Sequence, residues 1–83
     1  MPRSSLKVRR RKVLLVLLRQ VRLEAGLCQT DVAAKLGKPQ SFVSNYESGE
    51  RRLDLLELKT LCQALGISVV DFVKRFEAGL TGM

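Results

Sequence analysis

Four uncharged hydrogen-bonding side chains, Gln40, Ser41, Ser44 and Asn45, fall within a short segment at spacings that place them together on a helix. Gln and Asn each carry a donor and an acceptor side by side and can pair bidentately with adenine, while Ser bonds several base edges. The polar side of any helix has a similar composition, so these four residues alone do not separate a base-reading surface from an ordinary solvated one. Other chemistries are poorly supplied. The chain has no His, which removes the His-dependent catalytic and metal constellations. No Gly-rich phosphate loop follows a strand, no Ser has a plausible base partner, and the acids are scattered over helix starts and surface faces. Cys28 and Cys62 are too few for a disulfide framework or a four-Cys zinc site, and read as reduced thiols of a cytosolic protein. No catalytic residue, metal ligand or cofactor is therefore assigned, and the chain is not read as an enzyme.

Charge points to a polyanion. The chain is 83 residues long with a formal net charge of +7. Eight of its 15 Lys and Arg (Arg3, Lys7, Arg9, Arg10, Arg11, Lys12, Arg19 and Arg22) lie in residues 1–22, which hold no acid. The whole excess sits at the amino-terminal end, where Coulomb attraction and counterion release favour nucleic acid. A solvated face that aids solubility is the competing explanation at this point. The apolar run Val13–Leu18, which Arg19 interrupts, is too short for a secretory signal or a membrane span, so neither is expected.

Apolar spacing is helical throughout and predicts an all-α fold, a compact five-helix bundle. A first helix is expected from Arg10 to Ala25, stopping at Gly26, with Leu14, Leu17, Leu18, Val21 and Ala25 on its inner side and Leu15, Val16 and Leu23 pointing elsewhere. A second, Gln29–Leu36, buries Val32, Ala33 and Leu36 and ends at Gly37. A third, Gln40–Ser48, buries Val43 and Tyr46 and ends at Gly49. Two helices joined by so short a turn must cross closely, which calls for a small residue at Ala33. Asp54 and Glu57 form an acidic capping box with Leu53 and Leu58 as its staple, opening a fourth helix that Gly66 ends. Ser68 and Asp71 repeat the device with Ile67 and Phe72, and the fifth helix carries Val69, Phe72, Val73 and Phe76 on one stripe. Residues 1–12 are read as a basic arm, 13–78 as the domain, and 79–83 as a short flexible tail loosened by Gly79 and Gly82.

The joint pattern of Arg22, Gly26-Leu27-Cys28-Gln29, Val32-Ala33, Leu36-Gly37, Glu47-Ser48-Gly49 and Ala64-Leu65-Gly66 resembles the Cro/repressor-type (XRE-like) helix-turn-helix family. The resemblance runs from about Val13 to Phe76 and implies a lambda-repressor-like DNA-binding domain, bacterial or phage in origin and cytoplasmic, associated with the nucleoid. It implies that Gln40, Ser41 and Asn45 read bases in the major groove, with Ser44 beside them. It implies further that Gln29 meets a DNA phosphate at the start of helix two, where the helix dipole favours an anion. Ser48, Arg51 and Arg52 follow the third helix where the family meets the backbone again, and Lys38 is placed to reach a phosphate. Arg22 and Glu47 match a pair that clamps the recognition helix. Three residues depart from the family pattern: Cys28 stands in place of a Ser cap, Lys38 in place of an apolar turn residue, and Pro39 in place of a Ser cap.

The function expected is a sequence-specific double-stranded DNA-binding transcriptional regulator, a repressor whose recognition helix is about residues 40–48. The basic arm is expected to follow the DNA backbone or enter a minor groove. One such module touches few base pairs, so a homodimer on DNA is expected, with Phe76 and Leu80 as the first choice of contact and the surplus apolar face of helix one as the second. The alternative is an antitoxin or protein-binding adaptor of the same fold, holding a partner protein through Leu15, Val16 and Leu23. No membrane association is expected.

Overall fold

The computed structural model describes residues 3–81, with side chains from Leu6 onward. Five helices occupy it: α1 (Arg3–Glu24), α2 (Gln29–Leu36), α3 (Gln40–Ser48), α4 (Leu55–Leu65) and α5 (Val69–Thr81). Helix α1 packs against α3 and α5, α2 against α3 and α4, and α4 against α5. Leu17, Leu18 and Val21 from α1, Val32 and Ala33 from α2, Val43 and Tyr46 from α3, Leu61, Cys62 and Leu65 from α4, and Phe72 from α5 form the core. Burial pushes the Tyr46 phenol and the Cys62 thiol above their usual ranges.

The short connections explain the sharp bounds of α2 and α3. Gly37 takes a left-handed conformation (φ 65°), and the amides of Gly37 and Lys38 return to the carbonyls of Ala34 and Ala33 at 3.2 and 3.0 Å. That arrangement satisfies the last carbonyls of α2 and turns the chain directly into α3. Buried Ala33 lets the two helices approach where a larger side chain would separate them. At the start of α4, Asp54 accepts from the Glu57 amide at 2.7 Å and the Glu57 carboxylate accepts from the Asp54 amide at 3.0 Å. Ser68 accepts from the Asp71 amide at 3.0 Å at the start of α5. Such caps contribute about 1 kcal/mol each. At α2 the cap is carried from the other side. The Cys28 amide and thiol donate to the Asp31 carboxylate at 2.9 and 3.0 Å, and these bonds hold that carboxyl below its usual range.

Several expectations are corrected. Helix α1 begins at Arg3, not Arg10, so the basic segment continues α1 as its first turns. Lys and Arg are good helix formers, and no Gly or Pro interrupts residues 3–25. Leu15 packs against the core because the α3–α4 turn folds over it, whereas Ala25 is exposed beyond the last helical turn. Val73 is also exposed, at the margin of the α5 stripe. Helix α5 runs through Gly79 to Thr81. A Cβ at Gly79 would stand 2.9 Å from Val13, so this glycine permits close approach of α5 to α1 and does not loosen a tail. The outermost parts of the expected arm and tail, residues 1–2 and 82–83 with Gly82 among them, lie outside the described residues.

Candidate nucleic-acid interface

Glu47 organises the region around α3. The Arg22 guanidinium, reaching from α1, donates from Nε and Nη2 to the two Glu47 oxygens at 2.7 and 3.0 Å. Its Nη1 donates to the Leu27 carbonyl at 3.0 Å. Both side chains are nearly sealed from water, at 8% and 6% exposure. The bond to Glu47 raises the Arg22 pKa further into the basic range. A bidentate fork of this kind fixes angle as well as distance, so the end of α3 is tied to α1 in a single orientation.

The carboxylate also sets the amides beside it. Glu47 only accepts, so Gln29 turns its Nε2 toward Oε1 at 3.2 Å. Gln29 Oε1 is thereby directed outward, where it accepts from Gln40 Nε2 at 3.0 Å. A relay thus runs Arg22, Glu47, Gln29, Gln40, from the interior to the exposed first residue of α3. Gln40 is left with its carbonyl oxygen and one N–H, an acceptor beside a donor. Next to it on the surface, Ser41 is exposed, and Ser44 and Asn45 are half-buried one turn on. The structure therefore brings Gln40, Ser41, Ser44 and Asn45 onto one face, with Val43 and Tyr46 turned into the core.

Around this face lie the other residues singled out in the sequence. Gln29 occupies the first turn of α2, where backbone N–H groups lack helical acceptors. Its carboxamide is engaged by Glu47 and Gln40, leaving one Nε2 N–H and the backbone N–H as its remaining donors. Ser48 Oγ donates to the Asn45 carbonyl at 3.1 Å. Arg51 forms a forked pair with Glu57, at 3.1 and 2.6 Å. That pair holds the Glu57 carboxyl down at about 2 and raises the Arg51 pKa. Arg52 and Lys38 are exposed.

Phe42 is the residue the sequence reasoning missed. Its ring lies 4.6 Å from the Arg51 guanidinium and 5.7 Å from the Lys38 ammonium, and meets Tyr46 edge-on with centroids 5.7 Å apart. One half-buried aromatic thus seats two cations on either flank of α3 through attraction to its face. The available signal was a Phe one turn before the core Tyr46. Also unforeseen, the Arg11 guanidinium donates to the Gly49 carbonyl and ties α1 to the turn that follows α3.

A family model described as helix-turn-helix matches residues 18–72. A protein named uncharacterized HTH-type transcriptional regulator y4dJ, from Sinorhizobium fredii, is 41% identical over 54 residues, covering 65% of this chain and 70% of that protein. The solved structure of an XRE-family like protein from Pseudomonas syringae pv. tomato superposes with a TM-score of 0.83 at 40% identity, covering 90% of this chain and 92% of that one. The restriction-modification controller protein C.Esp1396I superposes with a TM-score of 0.81 at 23% identity, covering 89% and 96%, which is a likeness of fold.

Proposed function

The chain belongs to the XRE-type helix-turn-helix family, whose members are DNA-binding transcription regulators and not enzymes, and from this we propose that it reads double-stranded DNA with α3 in the major groove and represses by occupying its site. The observation that carries the proposal is the relay ending at Gln40. It leaves an oriented donor–acceptor pair on the exposed start of a short helix, the geometry that adenine N7 and N6–H require. Ser41, Ser44 and Asn45 complete the base-facing surface. The Gln29 backbone N–H, Lys38, Ser48, Arg51 and Arg52 bracket it as phosphate contacts, which fix register without reading sequence. The helical basic segment of α1 adds affinity for any duplex.

A domain of this size covers few base pairs, so we assign it to a homodimer on half-sites about 34 Å apart or a multiple of that. Phe76 is half-buried against the chain's own core and Leu80 is half-buried beyond it, so each keeps part of its surface for a dimer contact. Val16 and Leu23 on α1 and Val70 and Val73 on α5 are exposed and join them in the proposal. The same exposed residues of α1 motivate the alternative, an antitoxin or adaptor that holds a partner protein. Selection of bound fragments from genomic DNA tests the DNA reading. A recurring motif with two-fold symmetry supports it, whereas retention of fragments without a common motif contradicts it. A strictly monomeric mass by sedimentation with such a fragment bound would refute the dimer.

A further inference from the structure

Between α1, the α3–α4 turn, the first turn of α4 and Phe76 in the middle of α5 lies an open groove of about 520 Å³. Small-molecule sites are typically about 300–1,000 Å³. Its walls are Leu14, Leu15, Leu18, Leu53, Leu58 and Phe76, and exposed Val8 borders its mouth. Lys7, Arg10, Arg11, Arg51 and Arg52 surround it, and no acidic residue lines it. Arg11 is engaged by the Gly49 carbonyl and Arg51 by Glu57. Lys7, Arg10 and Arg52 have no acidic partner among the described residues.

An apolar trough rimmed by unneutralised cations selects a ligand with an apolar body and an anionic head. Duplex DNA satisfies the rim but has nothing to fill the walls. A second copy of a chain with net charge +7 brings further cations to the rim. A carboxylate matches the arginine fork and an alkyl or ring body matches the leucines. We infer that this groove binds a small amphipathic carboxylate, and that its occupation competes with DNA for Arg52. The competition rests on the DNA reading above; the binding site does not. By linkage, DNA weakens the carboxylate as much as the carboxylate weakens DNA.

A methyl NMR titration of the full chain without DNA tests the site, using decanoate below its micelle-forming concentration, with decanol and acetate as comparisons. Saturable shifts at Val8, Leu14, Leu15 and Leu53 are expected with decanoate. Decanol and acetate should bind weaker by about tenfold or more, the scale of one lost charge-assisted hydrogen bond or of the lost apolar contact. Val8→Glu should weaken decanoate by a similar factor and Val8→Lys should not, with circular dichroism confirming that both fold. Equal binding of decanol, shifts spread over Val70 and Val73 instead, or no saturable response would overturn the site. Tighter binding of an acidic amphipathic peptide at the same methyls would reassign it to a protein partner. Fluorescence anisotropy on duplex DNA then tests the competition: saturating decanoate should weaken binding by about fivefold or more, as allosteric couplings commonly do. Unchanged DNA affinity with decanoate in the groove would overturn the competition while leaving the site.

Discussion

Replacing Glu47 by Ala strands the Arg22 guanidinium inside the protein. Three of its hydrogen bonds are placed by the fold, two to Glu47 and one to the Leu27 carbonyl, and only the last survives. With both partners below 10% exposure, water reaches the orphaned charge poorly. Breaking one side of a buried pair costs about 3–5 kcal/mol. An 83-residue chain has a total stability of about 4–12 kcal/mol, so the loss is a large share of the whole. At about 4–8 °C per kcal/mol for a domain of this size, the melting temperature should fall by about 12–40 °C. Removing both charges with similar volumes, Arg22→Met with Glu47→Leu, should recover most of the stability, because no buried charge is left. Thermal and urea unfolding followed by circular dichroism measures the full cycle, repeated at about 1 M salt, where exposed pairs are screened. A cost below about 1 kcal/mol for Glu47→Ala, the value of an exposed pair, would refute the reasoning that this pair is a buried clamp.

Gly37→Ala and Gly49→Ala should each destabilise the fold by about 1–2 kcal/mol in the same unfolding assay, because both positions have positive φ, which a residue with a Cβ adopts only at that cost. At Gly49 the Arg11 and Leu15 side-chain ends must also move aside to admit the Cβ. Arg52→Ala should weaken binding to all duplexes alike and reduce the salt slope by about one, read by anisotropy across a salt series. The Glu57 carboxyl, held at about 2 by Arg51, should stay ionised in the folded chain where ordinary glutamates protonate. Since its folded value lies below its unfolded one, its stabilising contribution is full above the usual carboxylate range and is lost as pH falls toward about 2. Carboxyl NMR shifts of native and Arg51→Ala chains check this, and a Glu57 midpoint unchanged by Arg51→Ala would refute it.

The parts of the fold that follow from neighbouring residues can be read from sequence, and those that depend on tertiary contact cannot. The bounds of α2 and α3 coincide with the pattern because Gly37, Pro39 and Gly49 punctuate the chain locally. The starts of α4 and α5 follow from Asp54 and Ser68 for the same reason. The start of α1 escaped because apolar periodicity begins only at Val13, while the cationic turns before it are helical on propensity alone. Leu15 looked unplaced because the turn that covers it arrives from residues far along the chain. Arg11 with Gly49 and Arg75 with Glu24 are likewise separated by 38 and 51 residues, beyond any local pattern. Within the interface, family resemblance pairs Arg22 with Glu47 and places Gln40 and Asn45 on α3. The use of the Gln29 carboxamide as a link between Glu47 and Gln40, and of Phe42 as a seat for Lys38 and Arg51, required the assembled side chains.

The central claim is that α3 chooses the sequence. Selection from a random duplex library with the native chain, Gln40→Ala and Asn45→Ala measures it directly. Each variant should keep the native half-site spacing and lose preference at its own base position, with specific binding weakened by about 1–3 kcal/mol. Recovery of the native motif, unrelaxed, from both variants would contradict the account.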